Sequence, residues 1–368
     1  MSRLSVSRFY HFYLLRVAFF LILSGVFSLA YSQKPDYKLR IQKTHNNIYR
    51  YFASNRPNLF IETTDTAKNE KPYSFLWPVC ALIQAANEME VLEPGKDYLS
   101  PVLRTISYYY NQNPPAPGYQ AYVNLEGKDT RYIDDNQWIG IAAVDAYNRT
   151  KKTEYLDLAR LIYNFMMTGY DTIYGGGLYW RENDYSTKNT CSNGPGIVLA
   201  LQLHKATGEK KYLTTGLEIY NWTNKHLLSP EGIYYDNIRV KEGKVDKRAY
   251  TYNLGTMLQS NVLLYQITQK KSYLEEAKRL AQSGRNFFWK NNRLPDHYWF
   301  NAVMFRGYID LYKVTGDKNL IQFFADDAER IWKEEKDDND LFGKHKAKSL
   351  IDQAAMLEIF TRLETLKN

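Results

Sequence analysis

Lys152-Thr-Glu-Tyr-Leu-Asp-Leu-Ala-Arg160 decides the fold, because the chain repeats it. Related stretches are Lys210-Lys-Tyr-Leu-Thr-Thr-Gly-Leu-Glu218, Lys271-Ser-Tyr-Leu-Glu-Glu-Ala-Lys-Arg279 and Lys318-Asn-Leu-Ile-Gln-Phe-Phe-Ala325, with an earlier copy at Lys96-Asp-Tyr-Leu-Ser100. The Tyr-Leu pair falls at 98, 155, 212 and 273, spacings of 57, 57 and 61 residues. Such internal repetition marks an array of supersecondary units. Each copy opens a helix after a short polar turn, and the helix before that turn ends in a threonine: Thr150, Thr207, Thr268 or Thr315. The unit is therefore a helical hairpin.

The two helices of a unit differ in pattern. One is apolar on a single face, as in Leu156, Ala159, Ile162, Tyr163 and Met166 at three-to-four spacing. The other is small and apolar on several sides, as in Gly140–Ala146 and Gly196–Leu203, and should lie inside. Inner helices are predicted near 77–90, 137–149, 193–206, 254–267, 299–313 and 350–364, and outer ones near 37–53, 97–110, 153–167, 210–226, 271–289 and 318–333. The expected fold class is all-α, an (α/α)6 toroid of six helical hairpins. An open solenoid is the alternative. Against it, the long links 111–136, 168–193 and 228–253 gather at one end, over the N-termini of the inner helices, where function usually sits.

Residues 1–32 read as a signal peptide. Arg3, Arg8 and Arg16 lead an apolar stretch, Val17–Ala30, and Ala30-Tyr31-Ser32 is a small-x-small cleavage signal. Its apolar core is short for a membrane helix, so an uncleaved anchor is the lesser reading. No cysteine near the cleavage point offers a lipid site. The expectation is export, secreted or periplasmic, with residues 33–368 forming one catalytic domain, monomeric and without a further membrane segment.

Composition narrows the partners. The chain carries 48 basic and 40 acidic side chains, a formal charge of +8. Loss of the leader's three arginines leaves a mild +5 with no basic cluster suited to nucleic acid. Aromatics are abundant, Tyr 32, Phe 17 and Trp 7, although many tyrosines belong to the repeat. A chain this long needs no disulfide scaffold. Cys80 and Cys191 could pair in an exported protein, but Cys80 sits in an apolar helical stretch and reads as a packed thiol.

The links carry the chemistry. Link 111–136 ends in Tyr132-Ile133-Asp134-Asp135-Asn136-Gln137-Trp138. A single Asp before a helix would serve as a cap. Two side by side raise one another's pKa, so one tends to stay protonated while the helix N-terminus favours the other as an anion. An acid beside a nucleophile is the demand of glycoside hydrolysis, with the carboxyl separation deciding retention or inversion. Link 168–193 holds Gly175-Gly-Gly177-Leu-Tyr-Trp180, a turn or a close backbone approach, and link 228–253 leads into Tyr252-Asn253. Trp77, Trp138, Trp180 and Tyr252 thus share one rim with the Asp pair. No metal or cofactor is expected: H-E-x-x-H, C-x-x-C, a phosphate loop, a G-x-S-x-G elbow and a D-D-x-x-D site are all absent. Asp337-Asp-Asn-Asp340 lacks the spaced ligands of a calcium loop and reads as a solvated turn.

Asp134-Asp135-Asn136-x-Trp138 resembles the signature of glycoside hydrolase family 76, the endo-α-1,6-mannanases. Phe75-Leu-Trp77-Pro78 with Ala85-Ala86-Asn87, Gly175-Gly-Gly-x-Tyr-Trp180, Lys188-Asn189 with Asn193-Gly194, and Tyr252-Asn253-x-Gly255-Thr256 agree in order. The resemblance implies an (α/α)6 barrel and retaining hydrolysis of α-1,6-mannan, with α-mannan polysaccharide or oligosaccharide as partner. It makes Asp134 the nucleophile and Asp135 the general acid/base. Substrate contacts are expected from Trp77, Asn136, Trp138, Trp180, Asn189, Asn193, Tyr252 and Asn253. The chain departs from the pattern at Leu254, where Gln is expected, at Ile139, and at Phe300-Asn301-Ala302, where Phe-Lys-Gly is usual; these touch subsite positions. Transglycosylation on α-mannan and non-catalytic mannan binding are the alternative functions.

Overall fold

The repeat's recurring threonine has one structural cause at the four hairpins that carry it. In the computed structural model, which describes residues 35–295 and 297–367, the hydroxyl of Thr150 donates to the carbonyl of Ala146 and accepts from the N–H of Lys152. Thr207, Thr268 and Thr315 make the same pair of bonds. Each closes the last turn of an inner helix and starts the polar turn to its outer partner, the local competition with the helix ladder that makes Thr a terminator. Gly208 and Gly316 complete two of these ends in the left-handed conformation that a C-terminal cap requires.

The outer helices are α1 (Tyr37–Tyr51), α3 (Leu99–Ser107), α5 (Thr153–Met167), α7 (Lys210–Leu227), α9 (Lys271–Phe288) and α11 (Asn319–Glu334). The inner ones are α2 (Leu76–Leu92), α4 (Ile133–Thr150), α6 (Thr190–Thr207), α8 (Thr251–Thr268), α10 (Tyr298–Thr315) and α12 (Leu350–Thr365). Each inner helix packs on the next and α12 packs on α2, so the ring closes, and α1 docks on α12. The Arg40–Glu329 and Lys43–Asp340 ion pairs join the chain's first outer helix to its last hairpin. This closed ring is the expected (α/α)6 toroid, and it replaces the open solenoid. Residues from Tyr37 onward pack as one compact unit. The leader read at 1–32 lies outside the described residues. Among the described residues no helix is long and apolar enough to cross a membrane.

Two differences from the sequence reading matter for the site. The inner helices start up to four residues earlier than expected, so motif residues read as lying in the links belong to first helical turns. The links also contain strands. A hairpin pairs β1 (Tyr110–Asn111) with β2 (Gly118–Tyr119), and β3 (Tyr179–Arg181), β4 (Asp184–Asn189), β5 (Tyr235–Arg239) and β6 (Lys244–Ala249) form one antiparallel sheet in chain order. Polar strands such as Lys244-Val-Asp-Lys-Arg-Ala249 lack the apolar alternation that signals a half-buried strand. Cys80 and Cys191 are both free and buried, as the reading of a packed thiol at Cys80 requires.

Candidate active site

Register along the repeat builds the site. The second residue of each inner helix is Trp77, Asp134, Cys191, Tyr252, Trp299 and Ile351 in turn. All but Ile351 line one cavity of about 690 Å³ over the helix N-termini. Asp135, Trp138, Trp180, Asn189, Tyr250 and Phe300 extend its wall. The aromatic side is continuous: Tyr252 lies 4.1 Å from Phe300 between ring centroids, and Trp77 and Trp138 meet Trp299 edge-on at 5.7 and 5.3 Å. Trp180 stands 37% exposed at the mouth, ready to cover a ligand face.

Asp134 and Asp135 sit in the first turn of α4, after Tyr132, whose side chain makes no cap. Neither aspartate caps the helix as a residue preceding it would. Asp134 Oδ2 accepts the indole N–H of Trp180 at 3.3 Å, and Oδ1 is buried with no partner in hydrogen-bond geometry. Burial raises Asp134 to about 6, opposed by the neighbouring Cys191 thiol, the local amides and the Trp180 indole. Burial lifts Asp135 well above the ordinary carboxylate range, and the charge on Asp134 adds to that rise. The two carboxyls titrate as a pair, and both influences place the shared proton on Asp135. The Cys80 thiol donates to the backbone carbonyl of Asp135 at 3.2 Å, fixing the turn from below.

Two predicted substrate residues hold backbone instead. Asn136 is fully buried: its Oδ1 accepts from the N–H of Tyr119, and its Nδ2 donates to the carbonyls of Tyr119 and Tyr132. Asn193 clamps Leu178 and Asn189 in the same pattern. Gln353 repeats it on Phe342 and Ser349. These amides are the fourth residues of α4, α6 and α12, and they tie the preceding link to the helix start. With their polar atoms committed to backbone, Asn136 and Asn193 lie outside the cavity lining. In α8 the clamp position is Leu254, the departure noted in the sequence. Asn253 is fully buried and likewise outside the lining. Asn189, by contrast, lines the cavity with its Oδ1 unpartnered.

Sequence reasoning missed Cys191, Trp299 and the β-sheet residues Arg181, Asp184, Asp236 and Arg248, all in the lining. Cys191 and Trp299 were accessible through the repeat register. The sheet residues were not, because the strands themselves were hidden. Arg181 pairs with Asp184, and Arg248 with Asp236 and Asp246, so each guanidinium at the rim is already neutralised.

The glycine run is a close approach as well as a turn. Lys188, fully buried, donates to Asp171 and to the carbonyls of Ile173 and Gly176, pinning the loop. Gly177 has φ +84, and a Cβ there would lie 2.5 Å from the Trp222 indole. Gly177→Ala should therefore cost about 1–3 kcal/mol through overpacking, with the left-handed backbone adding strain. Thermal unfolding should register the loss, and activity should fall further than stability because this loop leads into the strand that carries Trp180.

Comparison with known proteins places the chain. The curated proteins it resembles include the mannan endo-1,6-alpha-mannosidases DCW1 of Candida glabrata and of Saccharomyces cerevisiae, each 30% identical over 183 residues. Those matches cover 45% of this chain and 41% of the relative, so the chain matches about two fifths of their length. Among solved structures, a glycoside hydrolase family 76 mannosidase from Bacteroides thetaiotaomicron superposes with a TM-score of 0.83 at 24% identity, over 90% of this chain and 99% of that one. An inactive variant of the α-1,6-mannanase from Salegentibacter sp. HEL1_6, in complex with α-1,6-mannotriose, superposes at 0.78 with 21% identity, over 90% and 100% of the two chains. These likenesses show the fold. The family description "Glycosyl hydrolase family 76" matches residues 36–296, well over half of the sequence, and the chain belongs to that family.

Proposed function

We propose that this protein is a secreted, retaining endo-α-1,6-mannanase, with the leader at 1–32 removed and residues 33–368 acting as a monomeric catalytic domain. One observation carries the reading: adjacent carboxyls with unequal proton affinity lie in an aromatic-walled cavity on a family 76 toroid. Relatives named as mannan endo-1,6-alpha-mannosidases support the substrate.

In the first step a carboxylate oxygen of Asp134 attacks the anomeric carbon while the Asp135 carboxyl gives its proton to the leaving glycosidic oxygen. The C–O bond to the leaving sugar breaks and a mannosyl ester forms on Asp134. In the second step Asp135, now a carboxylate, takes a proton from water, and that water's oxygen displaces Asp134 from the anomeric carbon. The enzyme returns to its starting charge, and two carboxyls supply all the acid, base and nucleophile the reaction needs. Trp77, Trp138, Trp180, Tyr252 and Asn189 would hold the mannosyl units, the rings on sugar faces and the amide on hydroxyls.

The pKa shifts set a pH profile. Asp134 must be ionised and Asp135 protonated. Activity should fall as pH drops through about 6, where Asp134 gains a proton, and fall again at higher pH as Asp135 loses its own. A kcat/KM profile on soluble α-1,6-mannan checks this; an acid limb near pH 4 would contradict it.

Product lengths from debranched α-1,6-mannan test the function. Short oligomers from the wild type, absent with Asp134→Asn and Asp135→Asn, are expected. Products longer than the substrate would indicate transfer to sugar in place of water. Binding without turnover would leave a mannan-binding protein.

A further inference from the structure

A carboxylate nucleophile needs a fixed orientation, yet the terminal torsion of an aspartate is broad and does not set one. At Asp134 the two oxygens differ. Oδ2 accepts the Trp180 indole N–H at 3.3 Å, whereas Oδ1 is buried and unpartnered.

The segment that supplies this donor is held on both sides of it. The β3–β4 ladder shifts register between Tyr179 and Arg181, at Trp180 itself. Such an irregularity re-aims a side chain, and here it lets Trp180 reach the helix start. Arg181 bridges to Tyr132, two residues before Asp134. Next along, Arg131 binds Glu182 through its backbone N–H at 3.0 Å, its Nε at 2.8 Å and its Nη2 at 2.5 Å. The Trp180 ring rests on Tyr132 at 5.0 Å. Two stapled segments therefore present one donor to one oxygen.

We propose that Trp180 is a positioning residue for Asp134: its indole N–H, reaching the carboxylate from the cavity mouth, fixes the orientation in which Asp134 attacks the anomeric carbon. The inference rests on the mannanase reading and assigns the residue that orients the nucleophile within it. The ring also lines the cavity, so a sugar-stacking role alone is the reading to beat.

Trp180→Phe keeps an aromatic face and removes the N–H. A hydrogen bond to a charged group is worth about ten- to a hundredfold, so kcat on α-1,6-mannan oligomers should drop by that factor, with KM within about threefold of wild type. Carbon-13 NMR of the Asp134 carboxyl should show its titration midpoint moving upward, since the lost donor favoured the anion. The other titratable or charged groups that face or flank Asp134 are Asp135, Tyr132, Arg181, Asp184, Cys80, Cys191, Asp236, Arg248 and Tyr252; all remain in the variant.

A raised KM with unchanged kcat would overturn the proposal and leave Trp180 a stacking platform. An unmoved midpoint would also overturn it, whatever the kinetics. If the phenylalanine variant fails to fold, β-(3-benzothienyl)alanine at position 180 keeps the ring shape and lacks the N–H, and its results are read the same way. The NMR arm needs no substrate. A wild type inactive on mannan would sink the functional reading while the Trp180–Asp134 bond was still being measured.

Discussion

Asp134→Asn should abolish turnover of α-1,6-mannan, lowering kcat/KM by at least about 10⁴-fold, the scale seen when a covalent nucleophile is removed. The amide cannot form the glycosyl ester, and no other carboxylate occupies the second position of an inner helix. The fold should survive, for a specific reason. Both aspartates have carboxyls raised by burial, so above those values the folded state holds anions it disfavours. A group with a raised folded pKa contributes stability at low pH and loses it as pH rises. Asp135→Asn should therefore match the wild type near pH 4 and melt higher than it near pH 8. Differential scanning calorimetry at the two pH values checks this. A lower melting temperature at pH 8 would mean that the carboxyls stabilise the fold rather than burden it.

The second large effect lies beneath the site. Glu358 on α12 is fully buried and accepts Arg306 Nε at 2.6 Å, Arg306 Nη2 at 2.8 Å and Arg362 Nε at 2.9 Å. Burial alone would raise its carboxyl, but the two guanidinia hold it below the usual range. Arg362 continues to Glu88 on α2, so one ion network joins α10, α12 and α2 across the place where the ring closes. Arg306 also lies 5.5 Å from the Trp138 ring, which lines the cavity. Glu358→Ala would leave Arg306 buried and uncompensated, at a cost of about 3–5 kcal/mol. Chemical denaturation should show that loss. The double variant Arg306→Met, Glu358→Leu should recover most of it, because an apolar replacement of a buried pair is often neutral. If the single variant loses under 1 kcal/mol, the network is not a closure element.

The toroid was legible because its signal is repeated and physical. Tyr155, Tyr212 and Tyr273 recur because outer helices bury the same face, and Thr150, Thr207, Thr268 and Thr315 recur because each closes a helix by the same pair of bonds. The Asp pair and four aromatics were legible from their place in the links and at inner-helix starts, and Asn189 from the family resemblance; all line the cavity. That Asn136 and Asn193 lie outside the cavity lining was not legible, because an amide at a helix start serves a sugar hydroxyl and a backbone clamp equally well in sequence. Only the extended segments at Tyr119 and Leu178 decide between them. Those segments belong to link structure that carries no periodic pattern. Asp236 and Arg248 stayed hidden with it, since β5 and β6 are polar and β5 completes its pairing only with β4 of another link.

The central claim is double displacement at Asp134. Proton NMR of the first reducing ends released from α-1,6-mannan, before mutarotation, tests it most directly. The account predicts the α-anomer as first product, appearing with the wild type and absent with Asp134→Asn. First release of the β-anomer would contradict it.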